Sequence, residues 1–230
     1  MKRFYTEAET IEADGGFGIA LDGRPVRTPG RAALTVPTHA LGAALADEWM
    51  AQRDTIDPRA MPLTGLANAA IDRIAPDIAG FAAGLAAYGE SDLLCYRADM
   101  PAPLVARQAD AWDPLLDWAA RRYDVAFVVT AGIVHAAQAP ATIERLAVAT
   151  AARGPYALAG LSPLVTISGS LVAALALAEG AFGAEEVWTR VTVDEAWQAE
   201  QWGEDTLAAA ALAARRAEFI SAAMFLSLLD

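Results

Sequence analysis

Between Arg153 and Glu179 lie 25 residues without a charge, GPYALAGLSPLVTISGSLVAALALA, and any fold of this chain has to keep most of them from water. A bilayer crossing takes about 20 apolar residues, so the run is long enough to span one. Against a crossing stand Pro155 and Pro163, three glycines and the polar Ser168-Gly169-Ser170 cluster. Alanine supplies much of the apolarity, and the following flank, EGAFGAEE, is acidic with no basic anchor. The better reading is two core helices broken near Pro163, whose ring removes a backbone donor. Such helices need a protein body around them, and 230 residues with 55% hydrophobic content can provide it in one large domain or two small ones.

The segments on the N-terminal side show a change of period. Residues 4–36 form short apolar runs, FYTEAETIEA, FGIALDG, RPVRTP and AALTVP, punctuated by Asp14-Gly15-Gly16 and Asp22-Gly23, which predict a small antiparallel sheet of three or four strands. Thr38 can then cap a helix in which Leu41, Leu45, Trp49 and Met50 recur at helical spacing and cover one face of that sheet. Beyond Met61 nearly everything reads as helix: residues 64–75, 76–89, 91–98, 104–123, 140–154, 184–202 and 205–229, with 125–130 the one further strand candidate. The expected class is therefore α+β, a small domain over residues 1–60 and a helical domain over 61–230.

Charge and residue inventory narrow the chemistry. The net charge of −12 opposes phosphate backbones and anionic lipid, and the arginines at 97, 107, 121 and 122 are interleaved with aspartates as on a solvated helix face. No nucleic-acid partner and no membrane insertion are expected. A single cysteine, Cys95, excludes an internal disulfide, and two separate histidines, His39 and His135, offer little for a metal. Lys2 is the only lysine, so no phosphate loop of the Walker type exists, and Gly16 and Gly18 lack the third glycine of a dinucleotide fingerprint. The Ser168-Gly169-Ser170 cluster lacks the spacing of a nucleophile elbow. Of the acidic doublets, neither Asp194-Glu195 nor Glu204-Asp205 forms a natural dyad, because neighbours on a helix point different ways. Neither cofactor nor metal is expected. The short basic start carries no apolar run of signal length and turns acidic at once, which suggests a cytoplasmic protein.

Several longer strings carry a family resemblance. LDGRPVRTP (21–29), DEWMAQRDTIDPRAMPLTGLANAAID (47–72), SDLLCYRAD (91–99), LVARQADAWDPLLDW (104–118), the Gly169-Ser170 pair and DEAWQAEQWGED (194–205) follow in order along almost the whole chain. Together they resemble the assembly chaperones of the ATP synthase alpha subunit. The resemblance implies a small α+β domain followed by an all-helical one. It implies a non-enzymatic protein, with the alpha subunit as transient partner, that holds this subunit soluble until the beta subunit replaces it. The arginine-rich, lysine-poor composition suggests a GC-rich bacterial genome; joined to the resemblance, whose mitochondrial members act in the matrix, it implies an alphaproteobacterial cytoplasm, and a monomer is expected. The rival readings are a small-molecule enzyme with a carboxylate pair in a helical pocket and a structural protein that oligomerises.

The acidity is uneven, since residues 179–230 carry three basic against ten acidic side chains. Tryptophans 188, 197 and 202 stand among these acids, and aromatic anchors in a charged rim are a common interface composition. Spacings of three and four place Glu195, Gln198 and Trp202 on one helix face, with Trp197 and Glu200 directed elsewhere. Partner contact is therefore expected from Glu195, Gln198, Trp202, Glu200, Asp205 and Trp188. Trp49, Asp92, Arg97, Trp112, Asp113 and Gly169 lie in the resembling strings and are expected to be structural, Trp49 and the 92–97 string by packing between the two domains.

Overall fold

Asp14-Gly15 turns the chain so that β1 (Ala8–Ala13) runs antiparallel to β2 (Gly16–Leu21), with Ala13 opposite Gly16 and Ala8 opposite Leu21. Gly15 has φ +81°, a conformation that disfavours a side chain. After Asp22-Gly23 the chain returns as β3 (Arg24–Pro25), which also pairs with β2, as does β4 (Thr35–Val36) at its other end. The Asp22 carboxylate accepts from the N–H groups of Glu7 at 2.9 Å and Thr6 at 3.0 Å, which hold its carboxyl below the usual range. α1 (His39–Met50) begins where Thr38 Oγ1 accepts from Leu41 N–H at 3.2 Å, and buries Leu41 and Leu45.

The computed structural model describes residues 1–203 and 205–230, and its contacts divide into two units. Unit 1 comprises Met1–Ile78, Gly154–Gly160 and Met224–Asp230; unit 2 comprises Ala79–Arg153 and Leu161–Ala223. Within unit 1, Glu48 caps α2 (Pro62–Ala69) by accepting from Leu63 N–H at 2.7 Å and Thr64 N–H at 2.8 Å, although burial pushes its pKa up. Trp49 lies edge-on to Tyr5 at 5.8 Å, and the Tyr5 hydroxyl donates to the Trp49 carbonyl at 2.7 Å. Its other neighbours are the buried cluster of Tyr5, Ala8, Leu21, Ile56 and Met61, all of this same unit. Tyr156 donates to the Thr35 carbonyl and Thr38 to the Leu228 carbonyl, so two later segments are tied to the sheet and α1.

Unit 2 contains most of α3 (Ile78–Ala86), a 3-10 turn at Leu93–Cys95, β5 (Tyr96–Arg97), α4 (Ala102–Tyr123), β6 (Thr130–Ala131) and α5 (Pro140–Ala151). α6 (Pro155–Ser168), α7 (Leu171–Ala178), α8 (Ala184–Val191), α9 (Val193–Trp202) and α10 (Thr206–Ser227) complete the chain. The uncharged run becomes α6 and α7, and Leu171 to Ala176 are wholly buried. Among the described residues no helix is long and apolar enough to cross a membrane.

Three local expectations are corrected. The run breaks at Gly169, not near Pro163: Pro163 sits inside α6, whereas Gly169 takes φ +69° and its N–H closes on the Val165 carbonyl at 2.8 Å. Residues 91–98 are not a helix. Asp92 adopts an extended backbone that caps the short turn, and Tyr96 and Arg97 then pair in parallel with Thr130 and Ala131, which reduces the 125–130 strand candidate to a two-residue β6. The 184–202 helix is two helices, because Thr192 departs to φ −108°, ψ 22°.

Candidate functional site

α9 and the first half of α10 enclose a groove of about 440 Å³ within unit 2. One wall carries Glu195, Gln198 and Trp202 at the spacing expected for a single helical face; the other carries Ala208, Ala211, Leu212 and Arg215. Gly203, with φ +86°, ends α9 and reverses the chain, and Asp205 caps α10 by accepting from Ala208 N–H at 2.8 Å. Short side chains on α10 leave the groove open, and Trp202 stands 78% exposed beside it, a large apolar surface that folding leaves in water. Leu207, 82% exposed, extends the apolar area at the start of α10.

The charged groups around this face are partly engaged. Arg215 Nη1 contacts Glu195 Oε1 at 3.2 Å, while its Nη2 donates to the Ile167 carbonyl at 2.9 Å. On the other side of α9, Arg107 reaches both oxygens of Glu200 at 2.8 and 2.9 Å and lies over the Trp197 ring at 5.3 Å. That hydrogen-bonded pairing pulls the Glu200 carboxyl below its usual range. Asp194 accepts from Gln108 Nε2 at 2.7 Å, so Asp194 and Glu195 face different partners. Glu204, the first member of the other doublet, lies outside the described residues. Among the described residues no three His, Cys, Asp or Glu side chains are grouped to hold a metal ion.

Glu195, Gln198, Trp202 and Asp205 therefore come together on one groove, and Glu200 lies on the adjoining face. Trp188 does not join them. It is 6% exposed and lies against Phe219 with ring centroids 5.4 Å apart, because α8 turns its apolar side inward before the break at Thr192. A second groove shares Gln198 and Trp202 with the first and is lined also by Trp197 of the same helix and by Met100 and Ile133. Ile133 is 98% exposed, which makes the loop after β6 part of the same apolar surface. Sequence reasoning passed over Arg215, Leu207 and this loop. The alanine-rich string before Arg215 was a usable signal, since six alanines with only Leu207 and Leu212 among them form a shallow helix face rather than an amphipathic one.

The residues expected to be structural occupy a separate network. Asp92 is fully buried and accepts from Leu94 N–H at 3.1 Å and Val172 N–H at 2.9 Å, while Leu93 N–H donates to the Gly169 carbonyl at 3.0 Å. These bonds fasten the 93–95 turn to the start of α7, yet burial still pushes the Asp92 carboxyl up to about 6. Arg97 donates to Asp113 at 2.7 Å and to the Leu94 carbonyl at 2.9 Å, and covers the Trp112 ring at 5.1 Å. Trp112 in turn donates to the Arg190 carbonyl at 2.7 Å, which anchors α8 on α4. Cys95 is buried, with its thiol pushed up to about 12 by desolvation and by the nearby Asp92 charge.

Comparison with known proteins identifies the family. A family model described as ATP12 chaperone protein matches residues 2–120. The crystal structure of Atp12 from Paracoccus denitrificans is 41% identical, with a TM-score of 0.95 over 100% of this chain and 98% of that one, and a mutant of the P. denitrificans protein gives the same values. A candidate chaperone from Agrobacterium tumefaciens is 42% identical, with a TM-score of 0.95 over 100% of this chain and 86% of that one. The chain belongs to the ATP12 chaperone protein family.

Proposed function

We propose that this protein is an assembly chaperone of the F-type ATP synthase that binds the unassembled alpha subunit and keeps it from aggregating until the beta subunit takes its place. The observation that carries the reading is the exposed Trp202 ridge between two grooves, with Glu195, Gln198 and Asp205 on one side, in a member of a chaperone family. An unassembled subunit exposes an apolar interface that invites aggregation, and a partner that covers it transiently lowers the concentration of the sticky form. A ridge of one aromatic flanked by acids suits such a task, because a single apolar anchor with polar surroundings can be displaced by a more extensive native partner. The protein works in this reading as a transient cytoplasmic partner and carries out no covalent step.

Co-expression with the ATP synthase alpha and beta subunits tests the proposal. A tagged copy is expected to recover alpha and not beta, and Trp202→Ala is expected to lower that recovery while leaving the melting temperature unchanged. Recovery of neither subunit, or of both equally, would overturn the reading.

A further inference from the structure

Two tryptophans of unit 2 are seated in the same way. Arg97 covers the Trp112 ring at 5.1 Å while pairing with Asp113 at 2.7 Å. Arg107 covers the Trp197 ring at 5.3 Å while pairing with Glu200 at 2.8 Å. In each case one planar guanidinium satisfies an indole face and a carboxylate together. Trp202 and Glu195, about two turns apart on one face of α9, both line the α9–α10 groove, yet among the described residues no arginine covers the Trp202 ring. Arg215 does not fill this role: it holds Oε1 of Glu195 and the Ile167 carbonyl, and among the described residues Oε2 has no donor. Indole and carboxylate are both present, and the guanidinium is missing.

We propose that the α9–α10 groove is an arginine seat: it takes an arginine of the partner protein, stacked on Trp202 and paired with Glu195, with small aliphatic neighbours of that arginine lying on Ala208, Ala211 and Leu212. The charge of the groove favours this occupant, since Glu195 and Asp205 line it against a single base, Arg215, which is already held by Glu195 Oε1 and the Ile167 carbonyl. Arginine is preferred to lysine because a flat, weakly hydrated guanidinium lies on an indole and bonds a carboxylate at once, whereas an ammonium is a compact, strongly hydrated point charge. The proposal rests on the chaperone reading only for the source of that arginine, the alpha subunit.

The test uses the full chain and a dye-labelled alanine-glutamine peptide with blocked ends and a single central arginine, together with the same peptide carrying lysine or leucine there. Fluorescence anisotropy is expected to show the arginine peptide binding at least about threefold more tightly than either analogue. Glu195→Gln and Trp202→Leu, both surface changes, are each expected to remove that preference without altering the melting temperature. Equal binding of the arginine and lysine peptides, equal binding of the leucine peptide, a preference that survives in either variant, or no binding of the arginine peptide at millimolar protein would each overturn the proposal. Because the peptide contains no alpha-subunit sequence, these outcomes are separate from failure to recover alpha in the co-expression experiment.

Discussion

At the scale of single residues, the family-like strings turn out to be dense in polar side chains that hold backbone. Glu48 caps α2, and Asp92 caps the 93–95 turn and the start of α7. Asp92 predicts a pH dependence whose sign follows from burial. Its folded-state pKa, about 6, lies above the ordinary value of 3.8, so the folded protein holds the proton more tightly than the unfolded chain. The resulting stabilisation is complete below about pH 4 and is lost as pH rises through about 6. Urea denaturation of the wild type should therefore show stability falling across that window, and Asp92→Asn should flatten the slope; an unchanged slope would contradict the burial argument. Trp49→Arg replaces a ring that lies on Tyr5 with a guanidinium facing an apolar cluster, and is expected to cost about 2–4 kcal/mol, read as a lower urea midpoint. A midpoint equal to that of the wild type would remove Trp49 from the core.

At the scale of elements, two breaks shape the helical part. The first is Gly169, whose left-handed backbone separates α6 from α7 and lets Ser170 Oγ cap Ala173 N–H at 2.9 Å. Gly169→Ala is expected to cost roughly 1–2 kcal/mol, because a Cβ at positive φ is strained, and thermal melting would register it. No loss would mean that α6 and α7 tolerate a different joint. The second break, Thr192, separates a buried α8 from an exposed α9, which is why Trp188 is core and Trp202 is surface although both belong to one acidic, aromatic string. Helical spacing predicted the shared face of Glu195, Gln198 and Trp202 correctly, because all three lie beyond that break. Trp188 was expected at the interface only for its place among the acids, and nothing local in the sequence tells that α8 buries its aromatic side before the break at Thr192.

At the scale of the whole molecule, the net charge of −12 bears on encounter more than on fold. Association with a cationic patch on the proposed client is expected to slow severalfold between low and high salt, with a smaller change in dissociation, in stopped-flow measurements. A rate indifferent to salt would mean that the acidic rim only keeps the protein soluble. Composition and periodicity determined the class of structure: turn dipeptides at Asp14-Gly15 and Asp22-Gly23 specify the hairpins, and an uncharged run of 25 residues demands interior helices. Both signals are local, so they can be read without knowing the neighbours. What only the tertiary structure decided is which aromatic surfaces remain in water. Phe219 covers Trp188, Arg97 covers Trp112 and Arg107 covers Trp197, each brought from a distant part of the chain, while Trp202 is left open on the groove it lines with Glu195. Exposure depends on contacts between residues far apart in sequence, and no periodicity in the local chain encodes them.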